Sequence, residues 1–196
     1  MTQSASHGDF ACSVDLSATD LNTDATSTAS DNSGGEAANT SPEVFTTVIE
    51  SASDTNNDNE ASGFAGFGFS EALLKTLSDK GYKEPSPIQA ATFPELMLGR
   101  DLVGQAQTGT GKTAAFALPL LERLEKGASK PQALVLAPTR ELAMQVADSF
   151  KAYSAGHPHL NVLAIYGGSD FRSQIHALKR GVDVVVGTPG RVMDHM

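Results

Sequence analysis

The stretch AQTGTGKT, residues 106–113, constrains the fold more than any other part of the sequence. It lies between a short apolar run and a helical pattern. A loop that wraps an anion with its backbone needs glycines where side chains would obstruct, and a helix start whose N–H groups face the anion. Gly109 and Gly111 supply the open backbone, Lys112 can reach the outer phosphates, and the Thr113 hydroxyl can ligate magnesium. We therefore predict a nucleotide-binding loop, which alone does not choose between ATP and GTP, or between kinase, transporter, switch and helicase.

The rest of the ordered sequence alternates between apolar runs and helical patterns. Apolar runs that remain apolar along their whole length, such as QALVLAP (132–138), indicate buried strands of a parallel sheet with crossover helices. In such sheets ligands bind beyond the carboxyl ends of the strands. The loops after the strands should therefore open on one edge of one sheet. Predicted strands occupy 101–107, 132–138, 161–168 and 183–189; predicted helices occupy 70–81, 88–98, 112–126, 140–153, 171–180 and 191–196; the loops are 106–113, 138–141, 167–168 and 188–191.

The negative charge is concentrated at the amino terminus. Residues 1–60 contain 11 of the 23 acidic residues and no Lys or Arg, so the remainder, with 12 acidic and 14 basic residues, has a net charge of about +2. An anionic partner for residues 61–196 is therefore compatible with the overall charge of −9. The Ser/Thr/Asn-rich segment 1–61 has too few large apolar residues to offset its ordering entropy, and we predict that it is disordered. Its one apolar cluster, EVFTTVIE (43–50), is interpreted as part of a solvated tail rather than a docking segment.

The sequence disfavours a secreted protein, a membrane protein and a histidine-based metal site. The amino terminus has no basic start and no apolar run of signal-peptide length, and no stretch is apolar enough to cross a bilayer. Cys12 is the single cysteine, which excludes an internal disulfide and fits a reducing cytoplasm. His157 and His159 flank a proline without further ligands at metal-binding spacing, so we interpret them as loop histidines. We expect a cytoplasmic protein with no membrane partner.

Five motifs in order carry a resemblance to a known family. AQTGTGKT, taken with GYKEPSPIQ (81–89), PTREL (138–142), Gly167-Gly168 and TPGR (188–191), resembles the first domain of the DEAD-box RNA helicases. Ala106, where the generic phosphate loop has glycine, is the usual residue of that family. The resemblance covers residues 62–196. It implies an α/β fold of the P-loop NTPase (RecA-like) type, with a parallel sheet and helices on both faces.

The resemblance implies an ATP site with magnesium. GYKEPSPIQ corresponds to the Q motif, and the Gln89 amide offers both a donor and an acceptor to the edge of adenine. An aromatic residue seventeen positions before this motif stacks on the base in the family, which indicates Phe64; Phe67 and Phe69 are then packing residues. Lys112 and Thr113 are the implied catalytic residues, and Thr113 the magnesium ligand. The implied nucleotide-binding residues are Phe64, Tyr82, Lys83, Pro85, Gln89, Ala106, Gln107, Thr108, Gly109, Thr110, Gly111, Lys112 and Thr113.

The later motifs imply an RNA-binding surface. Arginines, hydroxyls and amides at helix starts suit phosphodiesters, and paired glycines allow RNA to approach the backbone closely. These groups read phosphate and sugar, so binding should be largely independent of sequence. The implied RNA-binding residues are Pro138, Thr139, Arg140, Glu141, Gly167, Gly168, Thr188, Pro189, Gly190 and Arg191.

The Asp-Glu-Ala-Asp motif of the family does not occur in these 196 residues. In the family its carboxylates engage magnesium and position the attacking water, and phosphoryl transfer depends on such groups. We therefore expect an amino-terminal fragment or truncated product, inactive alone, with a sheet that is incomplete at the carboxyl end and has unpaired apolar edges. Two alternatives remain: a catalytically inactive nucleotide- or RNA-binding module, and a P-loop ATPase or kinase with no nucleic-acid role, against which GYKEPSPIQ and TPGR argue.

Overall fold

The computed structural model describes residues 63–196 together with two short strands of the amino-terminal segment, Ser13–Val14 and Phe45–Thr46. Apart from those four residues, the predicted disorder of segment 1–61 lies outside the described residues, as do most of the apolar cluster 43–50 and Cys12.

The described residues alternate between strands and helices, as the sequence pattern predicts. Each predicted helix and strand is found, and the helices at 140–153 and 171–180 have the bounds that were predicted. The strands are shorter than predicted, and α6 begins at Pro189, inside the range predicted for the last strand. The elements are β1 (Ser13–Val14), β2 (Phe45–Thr46), a 3-10 turn (Gly63–Phe67), α1 (Glu71–Asp79), α2 (Pro87–Met97), β3 (Leu102–Gly104), α3 (Lys112–Arg123), β4 (Ala133–Leu136), α4 (Arg140–Tyr153), a second 3-10 turn (Ser154–Gly156), β5 (Val162–Ile165), α5 (Phe171–Arg180), β6 (Val184–Gly187) and α6 (Pro189–Asp194).

The strands form two parallel three-stranded sheets, with orders β1-β3-β2 and β4-β6-β5. The prediction of one sheet containing all four loop-bearing strands is therefore wrong for the described residues. β3 pairs on both sides with strands from the amino-terminal segment and makes no ladder with β4, β5 or β6. The apolar pattern predicts which residues form strands, but it does not specify which strands pair. β3 pairs with strands that lie more than fifty residues before it in the sequence.

Within the second sheet the carboxyl ends of the strands are aligned. Leu136 of β4 and Ile165 of β5 both pair with Gly187 of β6. The loops after these three strands therefore open at one edge, as predicted for 138–141, 167–168 and 188–191. The Ala137 amide extends the alignment by donating to the Gly187 carbonyl oxygen at 2.9 Å, and the Thr188 amide donates to that of Ile165 at 2.9 Å.

Helices cover the two faces of the second sheet unequally. Because side chains alternate along a strand, Val184 and Val186 point to one face and Val185 to the other. The first face packs into the main core with the apolar side of α4, where Val146 and Phe150 are buried. The second face forms a smaller cluster, in which Val185 is joined by Ile165, Val182, Leu163 and Leu178.

The second face is open over β4. Leu134 lies beside Val185 in the ladder, yet Leu134 and Leu136 are 53% and 51% exposed. The prediction that QALVLAP is a fully buried strand is therefore wrong. The physical reason is that β4 pairs only with β6 among the described residues, and α5 covers β5 rather than β4.

Polar contacts fix the helix ends around the main core. The Ser70 amide and hydroxyl, just before α1, both donate to Glu122 Oε2 of α3 at 3.0 Å. Thr139 caps α4 by accepting from the Leu142 amide at 3.2 Å, and Asp170 caps α5 through the Ser173 amide. In the described part of the chain, no helix combines the length and the hydropathy that a membrane span needs.

Candidate functional site

The loop between β3 and α3 has the geometry of an anion cradle. Gly109 and Gly111 have φ values of +82° and +89°, which favour glycine, and a Cβ on Gly109 would meet no atom within 4 Å. Thr110 closes the turn, its hydroxyl donating to the Gln107 carbonyl oxygen at 2.8 Å. Gln107, Thr108 and Gly109 are exposed. The loop is therefore a solvent-accessible turn that leads into a twelve-residue helix. The N–H groups in the first turn of a helix lack partners within the helix and attract anions.

Lys112 lies at the first position of α3, with its side chain folded back over this loop. Its Nζ donates to the carbonyl oxygen of Ala106. The first turn of α3 holds no acidic residue, and Thr113 is partly exposed beside Lys112. The arrangement brings one cation and one hydroxyl to the mouth of the loop, which is the donor set that a nucleoside phosphate with magnesium needs.

The Gln89 side chain is hydrogen-bonded directly to the loop between β3 and α3. Its side chain is 3% exposed; Oε1 accepts from the Ser86 amide at 3.0 Å, and Nε2 donates to the Gly111 carbonyl oxygen at 3.2 Å. A Cβ on Gly111 would lie 2.3 Å from that Nε2, so the contact needs glycine at 111. Next to it, the buried Ser86 hydroxyl faces the Gln89 backbone amide in a capping box at the start of α2. Gln89 is therefore held at both ends, by Ser86 on one side and by Gly111 on the other.

The other implied base-binding residues pack around the segment 81–85. Phe64 is buried, and its ring meets that of Tyr82 edge-on at 6.2 Å between centroids. Gly63 holds the preceding turn close, since a Cβ there would lie 3.2 Å from the Lys83 carbonyl oxygen. Lys83 is exposed and Pro85 is partly buried. Stacking of Phe64 on a base stays a prediction, and it requires this ring to leave its present packing.

Phe67 and Phe69 pack as predicted. Their ring centroids each lie 5.1 Å from that of Phe93 in α2, in edge-to-face arrangements. Deeper in the same region the Tyr82 and Tyr153 hydroxyls lie 3.0 Å apart. Burial, followed by this hydrogen bond, raises the pKa of Tyr153 well above its usual range.

The shared edge of the second sheet brings three of the predicted RNA-binding loops together. Gly168 has a φ of +87°, and a Cβ built on it would lie 3.6 Å from Arg140 Nη1. Arg140 is half-exposed and pairs with Glu141 at 3.2 Å, a contact between two solvated side chains that contributes little stability. The 138–141 loop and the Gly167-Gly168 pair are therefore neighbours, with an exposed cation between them.

Arg191 is placed differently from Arg140. Its side chain is only 15% exposed, and Nε lies 3.4 Å from Asp194 Oδ2. Its Nη1 donates to the Ser169 carbonyl oxygen at 3.3 Å, and its guanidinium carbon lies 5.5 Å from the Phe171 ring centroid. A direct contact of Arg191 with a phosphate stays a prediction, and it requires the guanidinium to share or exchange these partners.

Sequence reasoning missed the residues that link these loops. Gln174 is buried in α5, and its amide contacts the 166–169 loop as well as Arg191 and His195 of the α6 region. The signal was present, because 171, 174, 175 and 178 have the spacing of one helix face, and only 174 is polar. Ser86, whose amide donates to Gln89 Oε1 at the other site, was also not among the predicted site residues.

The two histidines predicted to be loop residues lie in the turn after the second 3-10 helix. His157 and His159 have ring centroids 5.9 Å apart, and no group of three His, Cys, Asp or Glu suited to a metal occurs among residues 63–196. Their interpretation as loop residues agrees with this placement.

Comparison with known proteins gives consistent results. The family model for DEAD/DEAH box helicases matches residues 86–196. The ATP-dependent RNA helicase DeaD of Mycobacterium tuberculosis is 55% identical over 136 residues, 69% of this chain and 24% of the relative. The protein of the same name from Escherichia coli is 53% identical over 133 residues, 68% of this chain and 21% of the relative.

A solved structure shows the same fold. The crystal structure of a DEAD box protein from the hyperthermophile Methanococcus jannaschii matches with a TM-score of 0.64 and 41% identity, over 68% of this chain and 36% of that one. The chain thus spans about a quarter of the length of the curated relatives above.

Proposed function

The chain belongs to the DEAD/DEAH box helicase family, and from this premise we propose that it provides ATP-binding and RNA-binding parts of an ATP-dependent RNA helicase. In the whole protein, RNA-stimulated ATP hydrolysis would be coupled to local unwinding of RNA duplexes. The names of the relatives at 53–55% identity support this proposal. We include a cytoplasmic location in it, on the basis of the single cysteine.

The ATP site rests on one observation: Lys112 folds over an open glycine turn that Gln89 holds in place. Lys112 and the free amides at the start of α3 would bind the β- and γ-phosphates. The Thr113 hydroxyl would hold Mg²⁺, which when bound neutralises phosphate charge. The rest of the loop, Ala106, Gln107, Thr108, Gly109, Thr110 and Gly111, would supply backbone around the phosphates.

Adenine recognition is assigned to the residues that precede α2. Gln89 would present its amide to the base edge, and Tyr82, Lys83 and Pro85 would shape the pocket around it. Phe64 would stack on the base after its ring moves out of its present packing beside Tyr82. Because the Gln89 amide already bonds to Gly111, base binding and loop geometry would be coupled through one side chain.

The RNA surface would be the shared edge of the second sheet. Arg140 is its exposed cation, and Thr139 and Glu141 begin α4 beside it. Gly167 and Gly168 give close backbone access, and Thr188, Pro189, Gly190 and Arg191 form the third loop. Contacts to phosphate and sugar predict binding that weakens with salt and depends little on base sequence.

The test is nucleotide binding by residues 1–196, measured with a fluorescent ATP analogue and by competition with unlabelled ATP and GTP. We expect ATP to compete better than GTP. Lys112→Ala should weaken binding by at least tenfold, since it removes a charge-assisted contact of about 1.5–3 kcal/mol. Lys126→Ala, which removes an exposed lysine beyond α3, is the matched control and should bind normally. Equal competition by GTP would contradict the ATP assignment.

A catalytically inactive binding module is the second candidate. Lys112 and Thr113 at the phosphate-binding loop and the half-exposed Arg140 at the sheet edge could bind nucleotide and RNA without hydrolysis. It predicts RNA binding by residues 1–196 without ATP turnover, with or without polyuridylate. RNA-stimulated phosphate release by these residues would rule it out.

A further inference from the structure

One buried amide joins two of the proposed RNA-binding loops. Gln174 lies in α5, and its side chain is 4% exposed. On one side, its Nε2 donates to the Tyr166 carbonyl oxygen at 3.3 Å and to the Ser169 hydroxyl oxygen. Both partners belong to the loop that contains Gly167 and Gly168. The amide therefore holds both ends of that glycine pair.

The other side of the amide holds the α6 region. Gln174 Oε1 accepts from Arg191 Nη1 at 3.2 Å and lies 2.8 Å from His195 Nε2. Arg191 Nη1 also donates to the Ser169 carbonyl oxygen at 3.3 Å, which closes the link between loop and helix. Phe171 packs outside this group, stacked on His195 with 4.3 Å between ring centroids.

The chemistry of the partners permits only one orientation of this amide. Arginine only donates and a backbone carbonyl only accepts, so Oε1 must face Arg191 and Nε2 must face Tyr166. His195 then donates through Nε2–H. Both amide hydrogens and both lone pairs of Oε1 have partners, and this holds only when loop and helix are both in place.

Within the loop, the Ser169 hydroxyl donates to the Tyr166 carbonyl oxygen at 3.0 Å, a bond that does not reach α6. Gly167 and Gly168 contribute no side chains, and Gly168 has a positive φ of +87°. Arg140 Nη1 also lies close to Gly168, but the Arg140 side chain is half-exposed. The position of the glycine pair relative to α6 therefore depends strongly on Gln174.

We propose that Gln174 is a positioning residue that sets the spacing between the Gly167-Gly168 loop and the start of α6, so that one RNA backbone can contact both. The inference rests on the proposed RNA-binding function. Gln174 does not touch RNA in this proposal; it acts through the loop and through Arg191. Arg191 therefore has two roles in the proposal. It connects α6 to the loop through Ser169 and Gln174, and it is a predicted contact of the RNA backbone.

The first test does not involve RNA. Hydrogen exchange of residues 166–169 and 190–192 is compared between wild type and Gln174→Leu. We expect about tenfold faster exchange in both segments, from the loss of hydrogen bonds to a buried group, while α4 stays protected. Gln132→Leu is the matched control: its amide bonds to Glu125 and Asp183 before β4 and β6, at the other end of the sheet. Unchanged exchange at 166–169 in Gln174→Leu would overturn the proposal.

The second test is binding of a single-stranded oligouridylate by anisotropy, beside binding of the fluorescent ATP analogue. Gln174→Leu should weaken RNA binding about tenfold and leave nucleotide binding within about twofold, whereas Gln132→Leu should change neither. Normal RNA affinity in a folded Gln174→Leu chain overturns the positioning role, even if its exchange is faster.

Two further outcomes separate this inference from the proposed function. If wild type binds no RNA, the proposed function fails, and the exchange experiment alone decides whether Gln174 fixes the loop. If Gln174→Leu does not fold, Gln174→Glu replaces it. Glutamate keeps the acceptor for Arg191 and loses the donors to Tyr166 and Ser169, so only segment 166–169 should exchange faster. No difference between 166–169 and 190–192 in that variant counts against the proposal.

Discussion

The Nε2 atom of Gln89 lies 3.2 Å from the carbonyl oxygen of Gly111 and donates a hydrogen bond to it. This bond joins the start of α2 to the last residue of the phosphate loop. Its consequence is that Gln89 has two separable roles in the proposed site, one toward the adenine and one toward the loop that holds the phosphates.

Replacing Gln89 separates these roles when a ligand without a base is included. If Gln89 supports the loop, Gln89→Ala should weaken binding of inorganic tripolyphosphate by about three- to tenfold, the loss expected for one buried hydrogen bond. If Gln89 only reads the base, tripolyphosphate binding stays constant and the preference for ATP over GTP disappears. We expect both effects, measured by calorimetry. Gln145→Ala, an exposed glutamine of α4, is the control and should bind both ligands normally.

Gly187 is predicted to tolerate no larger residue. A Cβ there would lie 2.5 Å from Val192 Cγ2 and 3.0 Å from the Ile165 carbonyl oxygen, and the latter is backbone that pairs within the sheet. Gly187→Ala should lower the free energy of unfolding by about 1–3 kcal/mol, measured by urea denaturation. Gly190→Ala is the matched control in α6, where the added Cβ meets nothing within 4 Å. Equal stability of the two variants would show that α6 moves away without cost.

The parts of the fold that local patterns specify could be predicted from sequence. α4 has a Thr139 cap and an apolar stripe ending in Phe150, and its bounds were predicted correctly. The shared edge of three of the four predicted loops also followed, because parallel strands with crossover helices share their carboxyl ends. The position of Lys112 at the start of α3 followed from the glycine pattern.

What could not be predicted depends on contacts between distant residues. In the sequence, Gln174 is a single polar residue on an apolar helix face. Its hydrogen bonds to Tyr166 and Arg191 form only in the folded chain. The Gln89–Gly111 bond spans 22 positions and has no local signature. The exposure of Leu134 likewise depends on which strand lies beside β4, since an apolar run does not state its neighbours.

The open face of β4 predicts self-association. Leu134 and Leu136 are half-exposed on a strand with one free edge among the described residues, which is a recognised aggregation hazard. The double variant Leu134→Thr, Leu136→Thr should keep β propensity and shift the chain toward monomer in sedimentation experiments. Val135→Thr is the control: its side chain packs against the main core, so it should lower stability without reducing association. If the double variant associates as strongly as wild type, self-association does not occur through the open face of β4.

Tyr153 predicts a loss of stability at alkaline pH. Burial raises the pKa of its hydroxyl above the value of 10.0 that an unperturbed tyrosine has. Above that pH the unfolded chain releases this proton while the folded chain keeps it, so the unfolded state binds fewer protons and stability falls as pH rises. The contribution is fully present below pH 10.0 and is lost progressively above it. We expect the free energy of unfolding to decrease through this range in wild type.

Tyr153→Phe should make that decrease shallower, because the group that resists ionisation is gone. At neutral pH the same variant should lose about 0.5–1.5 kcal/mol, since the Tyr82 hydroxyl at 3.0 Å loses its partner. Urea denaturation across the alkaline range measures both effects, and the tyrosinate absorbance of the folded chain follows the ionisation directly. An unchanged pH slope in Tyr153→Phe would assign the alkaline loss of stability to other groups.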